Sequence, residues 1–306
     1  MSRVIKSLMI LVLSFSFFGC SQRPAFTIEV LETATPVAPL SESPLTATLP
    51  AEIPTIAVMP ADFSPILYGK RYDADTFFLL LGGLQGDVWL APDLAFVRFL
   101  NIPPSRYEIY TFAKGQFHIE GYAPQFSPTS KSYSMRAEET LNEIGMIGVA
   151  QGWPVLQRAV QELAADNELY RQAVLDWLAA EGVAEPQLDT LHIFRVDIEG
   201  DGVDEIFISA THLDGSQHIT RAGDYSIVLL RKVAGNEAVT LLIVGDIYRS
   251  TSDEITYLCT YSLANFIDLN QDGTLEVLVD VERWERAGAI LYQIEGQDVI
   301  ETLRVE

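Results

Sequence analysis

The sequence predicts a β-rich α+β fold built from antiparallel four-stranded repeats with an inserted helical hairpin. Three observations predict it. Short apolar runs bounded by turn residues fill residues 61–148, the period changes to a helical one over 149–187, and one compound pattern occurs twice in 188–306.

The chain opens with a basic start at Arg3 and Lys6, an uncharged run from Ser7 to Phe18, and Gly19-Cys20. A bilayer-spanning helix needs about 20 apolar residues, so this run suits the core of a signal peptide occupying 1–20. Residues 21–60 hold seven of the 15 prolines (24, 36, 39, 44, 50, 54 and 60) and no glycine, among many threonines and serines. Such a stretch favours extended polyproline II structure over a packed core and reads as a linker.

In 61–148 the runs 77–81, 87–91, 96–100 and 107–112 read as strands, separated by Gly82-Gly83, Pro92-Asp93, Pro103-Pro104 and Lys114-Gly115. The last turn predicts a hairpin with the run that begins at Gln116. A helical hairpin is expected next. Its first helix starts at Pro154, with Leu156, Ala159, Val160, Leu163 and Ala164 on one face. Its second is capped by Asp166, carries the stripe Tyr170, Ala173, Val174, Trp177 and Leu178, and ends at Gly182 and Pro186.

The repeats occupy 188–248 and 256–306. Each runs strand, acidic loop, strand, long loop, strand, hairpin turn, strand. Arg221-Ala222-Gly223 and Arg286-Ala287-Gly288 stand at equivalent places, and the turns fall at Ala234-Gly235-Asn236 and Glu295-Gly296-Gln297.

The acidic loops carry one spacing of oxygen-bearing residues. Asp197, Glu199 and Asp201 take positions one, three and five, Gly202 position six, the carbonyl of Val203 position seven and Glu205 position nine. Asp268, Asn270, Asp272, Gly273, Thr274 and Glu276 repeat the series. Alternate residues of a tightly curled loop project to one side and share a cation, and oxygen-only ligands favour calcium. Two ions, structural in role, are expected. Five carboxylates crowd the first loop between positions one and nine, and like charges roughly 4 Å apart repel by a few kcal/mol per pair at surface dielectric. A divalent ion relieves this. The same residues also suit two capped polar turns without metal. An EF-hand needs glutamate at position twelve and a helix after it, whereas Ile208 and Val279 lie there in strand-like runs.

The loops resemble the aspartate-rich calcium hairpins of FG-GAP and VCBS repeats, the integrin-like β-propeller family. The resemblance implies a metal role for Asp197, Asp201 and Glu205, and for Asp268, Asn270, Asp272 and Glu276. Glu199 departs from the family's Asp or Asn. It also implies blade-like repeats in a partial or divergent propeller, since two blades are counted and a closed propeller needs at least four. Gly19-Cys20 resembles the lipobox of bacterial lipoproteins, with Phe17 and Phe18 departing from its pattern. That resemblance implies lipidation of Cys20, an N-terminal lipid anchor in the membrane and a lipid-anchored, extracytoplasmic body. An uncleaved signal anchor or an ordinary secretory signal gives the same side of the membrane.

Charge and composition narrow the partners. Twenty bases against 42 acids give −22, which disfavours nucleic acid. The two cysteines exclude a disulfide framework and a cysteine zinc cluster. Cys259, in an apolar stretch, reads as a small buried hydrophobe. His212, Asp214 and His218 read as a solvated polar loop before a second metal site. Trp284 reads as core before an exposed platform for an envelope glycan or protein ligand. No nucleophile elbow, His-Glu-x-x-His or phosphate-binding glycine loop occurs. The expected role is adhesion or ligand binding at the cell envelope. An extracytoplasmic hydrolase with its site in 61–187, or a structural envelope component, are the alternatives.

Overall fold

The computed structural model describes residues 62–306, apart from 73–74, 100–105, 113–114, 121–123, 138–140, 142, 144, 215–218, 236, 253–257 and 285. The signal segment, Cys20, the linker, His218 and Asn236 lie outside the described residues. Among the described residues no helix is long and apolar enough to cross a membrane.

The N-terminal region forms one antiparallel sheet. Its elements are β1 (Phe63–Tyr72), β2 (Asp75–Gln85), β3 (Val88–Leu90), helix α1 (Pro92–Phe99), β4 (Arg106–Tyr110), β5 (Gln116–Glu120), β6 (Gln125–Ser127), β7 (Ser132–Arg136) and β8 (Met146–Ala150). Strand order is β5-β4-β8-β1-β2-β7-β6, with β3 also on β2. The expected hairpin around Gly115 joins β4 to β5, with Tyr110 opposite Gln116.

Residues 96–100 correct one expectation, because most of that run belongs to α1 and not to a strand. Pro92 fits the first turn of a helix, Asp93 and Arg98 complement the helix dipole, and Ala95 is fully buried while Leu94 and Val97 are exposed. The apolar run hides a helical period.

Each repeat forms four antiparallel strands in chain order, as expected. The first has β10 (Thr190–Val196), β11 (Glu205–His212), β12 (Tyr225–Ala234) and β13 (Glu237–Ile247). The second has β14 (Thr260–Ile267), β15 (Glu276–Arg283), β16 (Arg286–Glu295) and β17 (Asp298–Val305). The register at the acidic loops is the same in both. Val196 pairs with Glu205 and Ile267 with Glu276, so position nine is the first paired residue of the returning strand.

The helical hairpin is corrected. Only its second helix forms, as α2 (Glu168–Ala180). Asn167 is the N-cap in place of Asp166, and its side chain makes no capping bond. Val174 and Leu178 are buried on the predicted stripe, and Gly182 (φ +89°) ends the helix in the left-handed region. Residues 153–160 form no helix and hold one isolated β-bridge at Leu156, and Gln161–Leu163 form β9, which pairs with β10 as a fifth strand. Sheet pairing defeats the helical period here. Leu156 exchanges backbone hydrogen bonds with Asp268 (3.2 and 2.9 Å), and its side chain is 43% exposed.

The three sheets are stacked. Alternate residues of β11 and β12 serve opposite faces. Ile206, Ile208, Ile227 and Leu229 pack with Val174 and Leu178 of α2. Phe207, Val228 and Leu230 pack with Phe266, Val277, Val279 and Ile290 of the second repeat. The other face of that repeat, with Leu278, Ala289, Leu291 and Leu303, meets Ile66, Tyr68, Leu81 and Ile147 of the N-terminal sheet. The far face of that sheet buries Ala95 of α1. Sheets covered on both sides explain the continuous apolar runs of β11, β12, β15 and β16, since neither face meets water.

Candidate functional site

The acidic loops sit between β10 and β11 and between β14 and β15. In the first, Asp197 curls the chain: its Oδ1 accepts from the backbone N–H of Gly200 (2.6 Å) and Asp201 (3.2 Å), and its Oδ2 from Gly202 (2.9 Å). Asp201 Oδ1 accepts from Val203 (2.8 Å), and Glu205 Oε2 from Ile198 (3.0 Å). The second loop repeats these bonds. Asp268 accepts from Gln271 (2.6 Å) and Gly273 (3.1 Å), Asp272 from Thr274 (2.7 Å) and Glu276 from Leu269 (2.8 Å). Gly202 (φ +87°) and Gly273 (φ +88°) hold a left-handed geometry at position six.

Bases from neighbouring strands select which carboxylates remain. Lys232 Nζ of β12 pairs with Glu199, and Arg195 Nε with Asp204 at 3.2 Å. That leaves Asp197, Asp201 and Glu205 in the first loop, at positions one, five and nine. Asp268, Asp272 and Glu276 are their counterparts. Asn270 is turned so that its Nδ2 donates to Asp272 Oδ2 (2.9 Å), while its Oδ1 accepts from Asp272 N–H (3.0 Å). Val203 is 48% exposed. Among the described residues no group of three or more His, Cys, Asp or Glu side chains stands gathered as a metal cluster. The carboxylates instead serve the loop backbone.

Burial sets the electrostatics. Glu205, Asp268 and Glu276 are 3%, 3% and 1% exposed. Desolvation raises the pKa of each, and Glu276 is pushed up to about 8, with Asp268 and Asp272 adding to the effect. Both glutamates face like charge with little water to screen it.

The loops are joined, a feature the sequence did not show. Leu275 N–H donates to Ile198 carbonyl (2.9 Å). Arg158, on the segment before β9, donates to the carbonyls of Ile198 (2.7 Å) and Asp197 (3.3 Å) in one loop and Gly273 (2.6 Å) in the other. Trp153 Nε1–H reaches Leu269 carbonyl at 2.9 Å. No local spacing marks Arg158, because its partners lie in two distant loops. Replacing Arg158 with Met is expected to cost about 2–4 kcal/mol in urea unfolding, since charged hydrogen bonds to three carbonyls are lost.

The second loop also walls a cleft of about 590 Å³, where Asn270 and Gln271 face Trp153, Asp62 and Asp87. His212 Nδ1 lies 2.9 Å from Asp189 Oδ2, while Asp214 pairs with Arg221, so these two do not gather on one ligand. Cys259 is buried, as expected. Trp284 is 46% exposed, against the expectation of a core residue.

Compared with protein-family models, curated proteins and solved structures, the chain matches none of them.

Proposed function

We propose that the chain is an extracytoplasmic, membrane-tethered calcium-binding protein, an adhesion or ligand-binding module of the cell envelope. The signal segment, Gly19-Cys20 and the proline-rich linker support the address. Two acidic loops with matched register and matched internal bonds support the metal, in the manner of the FG-GAP and VCBS hairpins they resemble.

The observation that carries this reading is Glu276. Its carboxylate is 1% exposed, one oxygen is held by Leu269 N–H, and the charged neighbours raising its pKa are Asp268 and Asp272. A buried carboxylate among carboxylates calls for a cation. Asp268, Asp272 and Glu276, with the Asn270 amide rotated to present oxygen and the Thr274 carbonyl, would hold one ion. Asp197, Asp201, Glu205 and the Val203 carbonyl would hold the other. A bound ion supplies positive charge and fixes the loops, and with them the wall of the 590 Å³ cleft.

Thermal melting in calcium against chelator tests the proposal. An ion at a hundredfold excess over its Kd stabilises by about 2.7 kcal/mol. Asp201→Ala and Asp272→Ala are each expected to remove part of the shift, and the double variant all of it. An unchanged wild-type melting temperature at millimolar calcium contradicts the proposal.

A further inference from the structure

We propose that a second cleft, remote in lining from the acidic loops, binds a carboxylate-bearing saccharide. It deepens the ligand-binding half of the reading above, rests on that half, and needs neither calcium site.

The cleft has a volume of about 480 Å³ and lies where β1 meets the turn between β15 and β16. Acids outnumber bases 42 to 20 in the chain, yet among the described residues of this lining Lys70, Arg71, Arg283 and Arg286 stand against Glu282 alone. Lys70 is held by Asp280 outside the lining and by Glu282 within it, and Arg283 by Glu306. Lys70 Nζ lies 2.6 Å from both Asp280 and Glu282, and Arg283 Nη1 lies 3.2 Å from Glu306. Arg71 and Arg286 are exposed. Arg286 makes no ion pair among the described residues, although the protein around it is acidic.

Trp284, 46% exposed, stands in the same lining. Arg286 also borders a smaller hollow of about 280 Å³ with Ser130, Ser132 and Ser134. An indole face, guanidinium forks and hydroxyls are the groups that hold a sugar ring carrying a carboxylate: the ring stacks, the carboxylate takes paired N–H donors, and the ring hydroxyls meet the serines.

Charge limits the ligand's size. The cleft acts over roughly a Debye length, about 8–10 Å in physiological salt. A long, densely charged polyanion also meets the repulsion of the remaining surface, so nucleic acid is excluded and a short acidic oligosaccharide is favoured.

Titration with trigalacturonate, and with neutral galactotriose as control, tests this by calorimetry and tryptophan fluorescence. The uronate is expected to bind in chelator as well as in calcium, more weakly at high salt, with the neutral sugar at least about tenfold weaker, a difference of about 1.4 kcal/mol. Arg286→Gln and Trp284→Ala change exposed side chains and are expected to keep the wild-type melting temperature while losing at least about tenfold in affinity. Arg71→Gln serves as a second charge variant if either of these unfolds. No uronate binding, equal binding of both sugars, binding only in calcium, or unchanged affinity in the folded variants each overturns the proposal. Failure here leaves a calcium-induced melting shift standing. Conversely, absence of that shift with uronate binding intact defeats the metal sites alone.

Discussion

In a calcium-free buffer, stability is expected to fall as pH rises from about 4.5 towards about 8, opposite to the usual behaviour of surface carboxylates. Glu276 is the main cause. Its pKa is raised from 4.5 to about 8 in the folded protein by burial and by Asp268 and Asp272. Between those values the folded state holds a proton that the unfolded state has released. The stabilising contribution is therefore full below the unfolded pKa and is lost as pH rises through the folded one. Glu205 and Asp268 shift in the same direction and add to the slope. A shift of the size at Glu276 corresponds to several kcal/mol. Glu276→Gln is expected to stabilise the calcium-free protein at pH 8 while losing the calcium response of the second loop. Calcium is expected to flatten the slope in wild type, because an ion favours the deprotonated carboxylate. Chemical denaturation across pH, in chelator and in calcium, measures both effects.

Gly145→Ala is expected to prevent folding or to cost at least about 4 kcal/mol, among the largest single-site effects available. Gly145 has φ +62°, and a Cβ there falls 1.7 Å from the Ala264 carbonyl oxygen. Backbone fills the space, so no side chain swings aside. The Gly145 carbonyl also accepts from Asn265 Nδ2 at 2.7 Å, in the seam joining the N-terminal sheet to the second repeat. Gly296→Ala is the control. Gly296 has the same φ of +62°, but nothing lies within 4 Å of its added Cβ. It is expected to cost about 1–2 kcal/mol, the conformational term alone. Urea unfolding of the two variants separates steric from conformational strain.

The parts of the fold written locally were legible. Short apolar runs and turn residues located the strands of both repeats, and the one-three-five-six-nine spacing located both loops, because each signal is complete within about ten residues. The stripe of α2 was equally plain. Apart from the 96–100 run, whose helical period is local, what failed depended on distant partners. Residues 154–164 carry a helical stripe, yet Leu156 pairs with Asp268 and β9 completes the edge of β10. Arg158 gains its role only when two loops meet. The stacking of three sheets was implicit in the continuous apolar runs, but no single run names its neighbour. In the site, position three of the first loop is diverted because Lys232, on another strand, takes Glu199.

Calorimetric titration with calcium of the chelator-stripped protein is the decisive measurement of the two loop sites. Saturable binding of two ions per chain is expected, falling to one in Asp272→Ala and to none when Asp201→Ala is added. Absence of binding heat at millimolar calcium, from a chain whose melting shows it folded, would contradict it.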